Sequence, residues 1–320
     1  MAEDTAESVA FAVEPAPARR RRRIRARRRA TPYLLLAPAI AVIGGILGYP
    51  LYRLFSLSFQ QYGIFELIAH EGTWIGLANY STIVHDREFW VVLLRTMAFT
   101  AFTVGMTMVL GTLIALLLAR LGGFMRLLIT TALVLAWSMP PVVAVNIWSW
   151  MVDYEFGVVN WTLSSLGFER YLRHDWFVNP VEGFLVIAAI VIWGAIPFVA
   201  ITIYAGLTQV SGELVEAASI DGAGGFRVFR DITLPILKPI FVILASLSVI
   251  WNFQVFSQIW IIRNARPEGD YFLMSVYSFV ESFNASDYGL GSAIAVVTVF
   301  AMLGVTFVYI RQMVRIGEIE

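Results

Sequence analysis

The chain has 320 residues, 23 basic and 23 acidic side chains, and no cysteine. Hydrophobic residues make up 58% of it and charged residues 14%, whereas an average soluble domain has about 25% charged residues. One soluble core of this length cannot bury so much apolar surface. The composition therefore excludes an ordinary soluble enzyme, a disordered chain and a disulfide-stapled fold, and it indicates a polytopic membrane protein.

Residue types that hold metals are scarce in this chain. Without cysteine there can be no thiolate zinc site and no iron–sulfur cluster. The only histidines are His70, His85 and His174, too few for a histidine-rich site. We expect no metal site.

Six apolar runs are each long enough to cross the roughly 30 Å of bilayer hydrocarbon as a helix. None contains aspartate or glutamate, and they cover residues 33–57, 91–118, 127–150, 183–206, 239–262 and 288–310. Pro140 and Pro141 fall inside the third run. Because proline removes an amide donor, we expect a kink or break there, either purely structural or beside a translocation path.

The charges predict the domain organisation and the orientation. Residues 1–30 are predicted to be a disordered tail with nine arginines at 19–29, residues 31–90 the first transmembrane helix and an outer loop, and residues 91–311 the remaining helices. With an inside N-terminus, the inner segments carry sixteen of the 23 basic residues. The positive-inside rule then places both termini in the cytoplasm.

The inside segment 207–238 mixes charged, small and apolar residues. Ser211 is a suitable N-cap for a short helix, and Asp221 followed by Gly222 is a suitable end for it. Glu213 and Glu216 are three residues apart and therefore share one face of this helix. The pattern predicts the first arm of a compact helical elbow.

A second short helix completes the predicted elbow. Gly224 and Gly225 permit a sharp turn into it, and it continues to Ile232. We expect Leu234 and Pro235 to break it before the fifth apolar run begins. An elbow of this shape is suited to docking into a groove on a partner protein.

Residues of this elbow resemble the EAA signature of the permease subunits of ATP-binding-cassette (ABC) importers, with matching spacing. The residues concerned are Glu216, Ala217, Ala218, Asp221, Gly222, Ile232, Leu234 and Pro235. Further segments resemble the sugar-importer permeases in particular: Tyr49-Pro50-Leu51, Gly76-Leu77-Ala78-Asn79-Tyr80 and Tyr288-Gly289 with Gly291-Ser292-Ala293. The resemblance implies an all-α type I ABC importer permease fold with six transmembrane helices, in which the elbow residues couple the chain to an ATPase.

The resemblance also implies partners and a substrate class. The partners are a second homologous permease, an ABC ATPase dimer that holds ATP and magnesium, and an extracytoplasmic solute-binding protein, in a bacterial cytoplasmic membrane. This chain would carry no catalytic residues and bind no cofactor and no nucleic acid, and its substrate would be a carbohydrate. The run from Gln254 to Gln258 and the sequence Arg266-Pro267-Glu268 resemble actinobacterial importers of chitobiose and related amino sugars.

The chain lacks the residues that it would need to power transport by itself. The only lysine is Lys238, between Leu237 and Pro239, so no phosphate-binding P-loop is possible. Proton-coupled carriers place acids or histidines in their spans, and the six runs have none. A separate ATPase is favoured over a stand-alone secondary carrier. An ABC permease for a non-sugar solute and a non-transporting membrane scaffold also remain open.

Polar and aromatic residues within the runs are candidates for the substrate path. They are Asn146 in the third run and Trp251, Asn252, Gln254, Ser257 and Gln258 in the fifth. Amides beside aromatic faces suit a sugar, but such groups also form hydrogen bonds between helices. Both interpretations stay open at this point.

Overall fold

The structure, a computed structural model, describes residues 18–317 and is mostly helical. The chain divides into two units, one ending at Arg53 and the other beginning at Leu54. The helices of the described residues are α1 (Ala18–Ser58), α2 (Ile64–Ala69), α3 (Ala78–His85), α4 (Arg87–Arg120), α5 (Gly123–Trp137), α6 (Pro141–Met151), α7 (Val158–Ser165), α8 (Pro180–Leu207), α9 (Gly212–Ile220), α10 (Gly225–Val228), α11 (Leu234–Phe253), α12 (Ser257–Ile262), α13 (Met274–Phe279) and α14 (Tyr288–Gly317).

Short irregular elements connect these helices. Strands β1 (Gln60–Gln61) and β2 (Thr73–Trp74) pair antiparallel, with Gln60 opposite Trp74. Single 3₁₀ turns lie at Glu169–Tyr171 and Gly269–Tyr271. Two π-helical turns, Phe229–Thr233 and Val280–Asn284, each stand next to an α-helix.

Five helical stretches of the described chain are long and apolar enough to cross a membrane, and a sixth is present if a bent pair counts as one span. The five are Leu35–Ser58, Arg87–Arg120, Pro180–Leu207, Gly225–Ile262 and Tyr288–Val308. They overlap five of the six predicted apolar runs. In the first unit, α1 includes residues 18–30 of the tail that we predicted to be disordered, while residues 1–17 lie outside the described residues.

The third apolar run is not one straight helix. It is divided between α5 and α6, which are bent by 99° relative to each other at a break of a few residues. Pro141 occupies the first turn of α6, and the Pro140 carbonyl accepts the amides of Val143 and Ala144 at 3.0 and 3.1 Å. The missing amide of Pro141 therefore costs nothing at the start of a new helix, and the expected break is present.

The core of the second unit joins α4 to its neighbours. Gly111 of α4 lies so close to α8 that an added Cβ would be 2.6 Å from Val199. Gly206 near the end of α8 is equally tight against Ile240 of α11. A buried cluster fills the space between these three helices with Ala115, Val199, Ile203, Leu237 and Leu244. Close helix contact through small residues is the usual packing mode inside membranes. Here it holds the end of α8 against α11, the two helices that the elbow connects.

Exchanging Gly291 for alanine should destabilise the chain. A Cβ at this position of α14 would lie 2.8 Å from the Ser282 amide and 2.9 Å from the Ser278 carbonyl, which are backbone atoms that cannot rotate away. We expect a loss of about 1–3 kcal/mol from overpacking, measured as a lower melting temperature of the detergent-purified chain.

Gly304, in the same helix, is the matched control. An added Cβ there meets nothing within 4 Å. Gly304→Ala should leave stability unchanged or raise it by about 0.5–1 kcal/mol, because alanine is the better helix former. Equal melting temperatures for the two variants would contradict this account of Gly291.

Candidate functional site

The first arm of the elbow is α9, which ends in a well-formed C-terminal cap. Gly222 has a φ of +78°, in the left-handed region that favours glycine. Its amide donates to the Ser219 carbonyl at 3.1 Å, and the Ala223 amide donates to the Ala218 carbonyl at 2.9 Å. These two bonds form a Schellman motif. Asp221 and Gly222 therefore stop α9 where the sequence predicted, and the motif turns the chain sharply.

The start of α9 matches the prediction only in position. Ser211 is the N-cap residue, but its side chain makes no capping hydrogen bond. Glu213 in the first turn supplies a negative charge near the positive end of the helix dipole.

The second arm differs from the prediction. We expected Leu234 and Pro235 to break the helix, but Thr233 and Leu234 keep right-handed helical geometry, with Leu234 at φ −63° and ψ −42°. The chain passes from α10 through the π turn Phe229–Thr233 directly into α11. A π turn widens the helix locally, and Pro235 stands in the first turn of α11, where its missing amide is tolerated. The elbow is thus joined to a transmembrane helix without a flexible link.

The elbow presents an exposed surface of mixed character. Ile220 is 86% exposed and Phe226 is 77% exposed, one on each side of the Gly222 turn. Glu216 and Ala217 are exposed and Ala218 is half-buried. The carboxylate of Glu216 has no ion pair within the described part of the chain. The elbow thus exposes two large apolar side chains and a carboxylate that has no ion pair among the described residues.

The elbow and the turn at residues 268–272 lie at opposite ends of α4. Gly225 is close to the guanidinium of Arg120, the last residue of α4, whereas Gly269 is close to the carboxylate of Glu88 in its first turn. An α-helix between those two positions is about 50 Å long. The elbow therefore faces one side of the membrane and the 268–272 turn faces the other.

The turn at the far end is held rigidly by two arginines. Arg95 of α4 donates to the carbonyls of Gly269 and Phe272 at 2.8 and 3.1 Å. Arg263 donates to both carboxylate oxygens of Glu268, and this hydrogen bonding lowers the pKa of Glu268 below its usual value. Burial raises the pKa of Tyr271, over whose ring the Arg263 guanidinium lies at 4.4 Å. The 268–272 turn is thus held in place by hydrogen bonds from both arginines.

A cavity of about 280 Å³ lies beside the break in the third apolar run. It is bounded by α5, α6, α8, the end of α11 and the start of α12. Three of its aromatic rings are in contact: Trp137 stacks on Phe198 at 5.9 Å, and Phe198 meets Trp251 edge to face at 5.4 Å. Asn252 and Gln258 add amide groups to the wall. Aromatic faces with a few convergent amides are the features of a small-molecule site.

The structure separates the six residues that we predicted for the substrate path. Trp251, Asn252 and Gln258 line this cavity, whereas Asn146 and Ser257 are not among its lining residues. The Asn146 amide bonds the Val142 carbonyl of its own helix at 2.7 Å.

Asn252 has a clear structural partner in addition to its place at the cavity. Its buried amide nitrogen donates to the Thr103 hydroxyl of α4 at 3.0 Å. The hydrogen bond between helices that we left open for this residue is therefore present.

Gln254 faces a different space, a groove of about 410 Å³ between α11, α13 and α14. The helix α11 ends just before it, and α12 begins at Ser257, so the fifth apolar run is interrupted here. Hydroxyl groups of Ser275, Ser278 and Thr298 also line the groove.

Sequence reasoning missed Trp137, Trp193 and Phe198, which form much of the cavity wall. The sequence contained a partial indication of two of them. Trp137 precedes the two prolines that we singled out, and Trp193 lies in the middle of an apolar run, far from either membrane surface. Among the described residues, no group of three or more histidines and acids could hold a metal ion.

A family of transport proteins matches this chain. The sequence profile of the family described as "Binding-protein-dependent transport system inner membrane component" covers residues 108–316. The chain belongs to this family. The permease is therefore a multi-pass membrane protein of a binding-protein-dependent transport system, and the predicted family is confirmed.

Curated relatives cover most of the permease. It is 41% identical over 289 residues to the diacetylchitobiose uptake system permease protein DasB of Streptomyces coelicolor, with 90% of this chain and 88% of the relative aligned. It is 32% identical over 280 residues to the trehalose/maltose transport system permease protein MalF of Thermococcus litoralis, with 87% and 92% aligned.

The fold of the permease matches a solved structure. A crystal structure of a bacterial ABC transporter involved in the import of the acidic polysaccharide alginate contains a chain that superposes with a TM-score of 0.74 at 19% identity. The match covers 92% of this chain and 99% of the other. The predicted all-α ABC importer permease fold is confirmed.

Proposed function

We propose that this permease passes a carbohydrate through the cytoplasmic membrane while a separate ABC ATPase dimer supplies the energy. A second, homologous permease and an extracytoplasmic binding protein complete the assembly, and both termini lie in the cytoplasm. The elbow carries this proposal, because it is an exposed, partly apolar surface joined through a continuous helix to a spanning segment.

The same helical connection supports a mechanism. Closure of the two ATPase subunits displaces the elbow, with Glu216 as its charged contact and Ala217 and Ala218 allowing close approach. The π turn Phe229–Thr233 and α11 move with the elbow because α10 continues through this turn into α11 without a break. The displacement reaches Asn252 and the cavity at the other end of α11, so that access changes from one side of the membrane to the other.

The substrate class is proposed from the cavity and from the relatives. Stacked aromatic rings beside the Gln258 and Asn252 amides suit a pyranose ring and its hydroxyl or acetamido groups. Relatives include permeases named for diacetylchitobiose and for trehalose and maltose. A mono- or oligosaccharide is proposed, and an amino sugar such as chitobiose is the first to test.

Purification of the chain from its native membrane in mild detergent tests the assembly. Mass spectrometry should find an ABC ATPase and a second permease in the same complex, and the accompanying binding protein can be screened against chitobiose, maltose and trehalose. Proteoliposomes of the complex should then take up the bound sugar only with ATP and magnesium. Uptake by the chain alone without ATP would instead identify a secondary carrier.

Replacing Gln258 by leucine should weaken sugar handling. The exchange removes one amide from the cavity wall, and a lost hydrogen bond of about 0.5–1.5 kcal/mol corresponds to a roughly two- to tenfold higher half-saturating sugar concentration. The measurement is ATP-driven uptake in proteoliposomes at equal amounts of complex.

Asn146→Leu is the matched control for this exchange, since Asn146 also carries an amide in a span but is not among the residues that line the cavity. It should leave the half-saturating concentration near that of the unmodified protein. An equal increase in both variants would remove the cavity from the proposed path.

A further inference from the structure

The short helix α3 has three different sides. Asn79 and Ile83, four residues apart, are buried against the rest of the protein. Leu77 and Val84 stand seven residues apart, at the N-cap and within α3, and therefore share a face, and they are 67% and 57% exposed. Thr82 and His85, three residues apart, are exposed on another side of the helix. The helix itself contains no aspartate, glutamate, lysine or arginine.

Hydrogen bonds fix α3 at the level of a span end. The Asn79 amide donates to the carbonyls of Ser58 and Gln60, both at 3.0 Å. The Tyr80 hydroxyl donates to the Ser58 hydroxyl at 2.8 Å. Because Ser58 is the last residue of the first candidate span, α3 lies at the surface of the bilayer.

The exposed apolar face of α3 continues onto α4. The indole nitrogen of Trp90, in the first turn of α4, donates to the Val84 carbonyl at 2.9 Å. Trp90, Leu94 and Met97 are all exposed and follow the spacing of one helix face. An apolar strip therefore runs from the membrane-spanning part of α4 through Trp90 to α3.

We propose that α3 lies in the interface of the lipid bilayer, with Leu77, Val84 and Trp90 at the boundary of the acyl chains and with Thr82 and His85 in water. Trp90 then occupies the depth at which tryptophan is enriched in membrane proteins. The proposal requires only that the chain spans a membrane, so it stands or falls separately from the substrate.

A lipid partner explains the exposed apolar face of α3 better than a protein partner does. A protein that meets this loop from water approaches the side of Thr82 and His85, not the apolar side that continues down α4. The exposed residues Trp90, Leu94 and Met97 of that continuation belong to a candidate membrane span, whose outer face is surrounded by lipid.

Single cysteines test the proposal, since the chain has none of its own. The full chain carrying Leu77→Cys or Val84→Cys is labelled with a nitroxide and placed in nanodiscs of phosphatidylethanolamine and phosphatidylglycerol. Relaxation by oxygen and by a water-soluble nickel chelate then reports the depth of each label. We expect both labels about 5–10 Å below the headgroup surface.

Thr82→Cys and His85→Cys are matched controls on the same helix and should be relaxed mainly by the nickel chelate. Leu94→Cys provides the reference for a label in the hydrocarbon. Labels at 77 and 84 as accessible to nickel as the label at 82 would overturn the proposal. So would shielding that appears only when an extracytoplasmic binding protein is added, because the face would then belong to that protein.

Discussion

Glu216→Lys is expected to abolish ATP-driven uptake while the chain still inserts into the membrane and assembles. The carboxylate is exposed on α9 and has no partner within the described part of the chain. Its proposed partner is the ATPase, and reversing a charge in an interface replaces attraction by repulsion. Uptake in proteoliposomes should fall more than about tenfold, with unchanged amounts of complex in the membrane.

Glu213→Lys is the matched control, because both glutamates are exposed on one face of the same helix. It places a positive charge in the first turn of α9, which opposes the helix dipole, so it is the harsher exchange for the helix itself. If uptake nevertheless persists in Glu213→Lys and is lost in Glu216→Lys, the effect belongs to the contact at Glu216. Normal uptake in Glu216→Lys would remove its coupling role.

Local backbone rules were sufficient to place several turns from the sequence. Gly222 stops α9 because a positive φ suits glycine, and Pro141 begins α6 because its missing amide is not needed in a first turn. Both features depend on a few neighbouring residues, so one sequence contains the information. The six apolar runs were equally visible, since length and hydropathy define them.

A different local rule, that the residue before a proline disfavours a helix, gave the wrong result at Pro235. A proline after Leu234 normally disfavours a continuing helix, but the π turn Phe229–Thr233 lets the chain enter α11 without a break. Val228 and Leu237, on either side of this turn, are buried. No short-range pattern indicates the turn.

The cavity was only partly predictable for a related reason. Helical periodicity shows which residues share a face but not which helices meet. The contacts of Trp137 with Phe198 and of Asn252 with Thr103 join residues that are far apart in the sequence. The sequence identified Trp251 and Gln258 as candidates because aromatic and amide side chains suit a sugar. The residues that surround them in the cavity could be identified only from the structure.

Gly222→Val is expected to disable the elbow without a clash against any described residue of the chain. At a φ of +78° the glycine conformation is strained for a β-branched residue, although an added Cβ meets nothing within 4 Å. The left-handed conformation costs a side chain with a Cβ about 1–2 kcal/mol. A nine-residue helix has little stability of its own to offset this cost. The cap should open, and ATP-driven uptake should be lost at normal membrane levels.

Two further variants separate backbone strain from crowding. Gly224 also has open space around its Cβ position but keeps an ordinary φ of −70°, so Gly224→Val should retain uptake. Gly222→Asn should retain more uptake than Gly222→Val, because asparagine adopts the left-handed conformation more readily than other side chains do. Equal losses at 222 and 224 would show that bulk at the docking surface matters and the turn does not. We expect uptake to be highest in Gly224→Val, lower in Gly222→Asn and lowest in Gly222→Val. This order would show that coupling between the ATPase and α11 depends on the left-handed backbone conformation at residue 222.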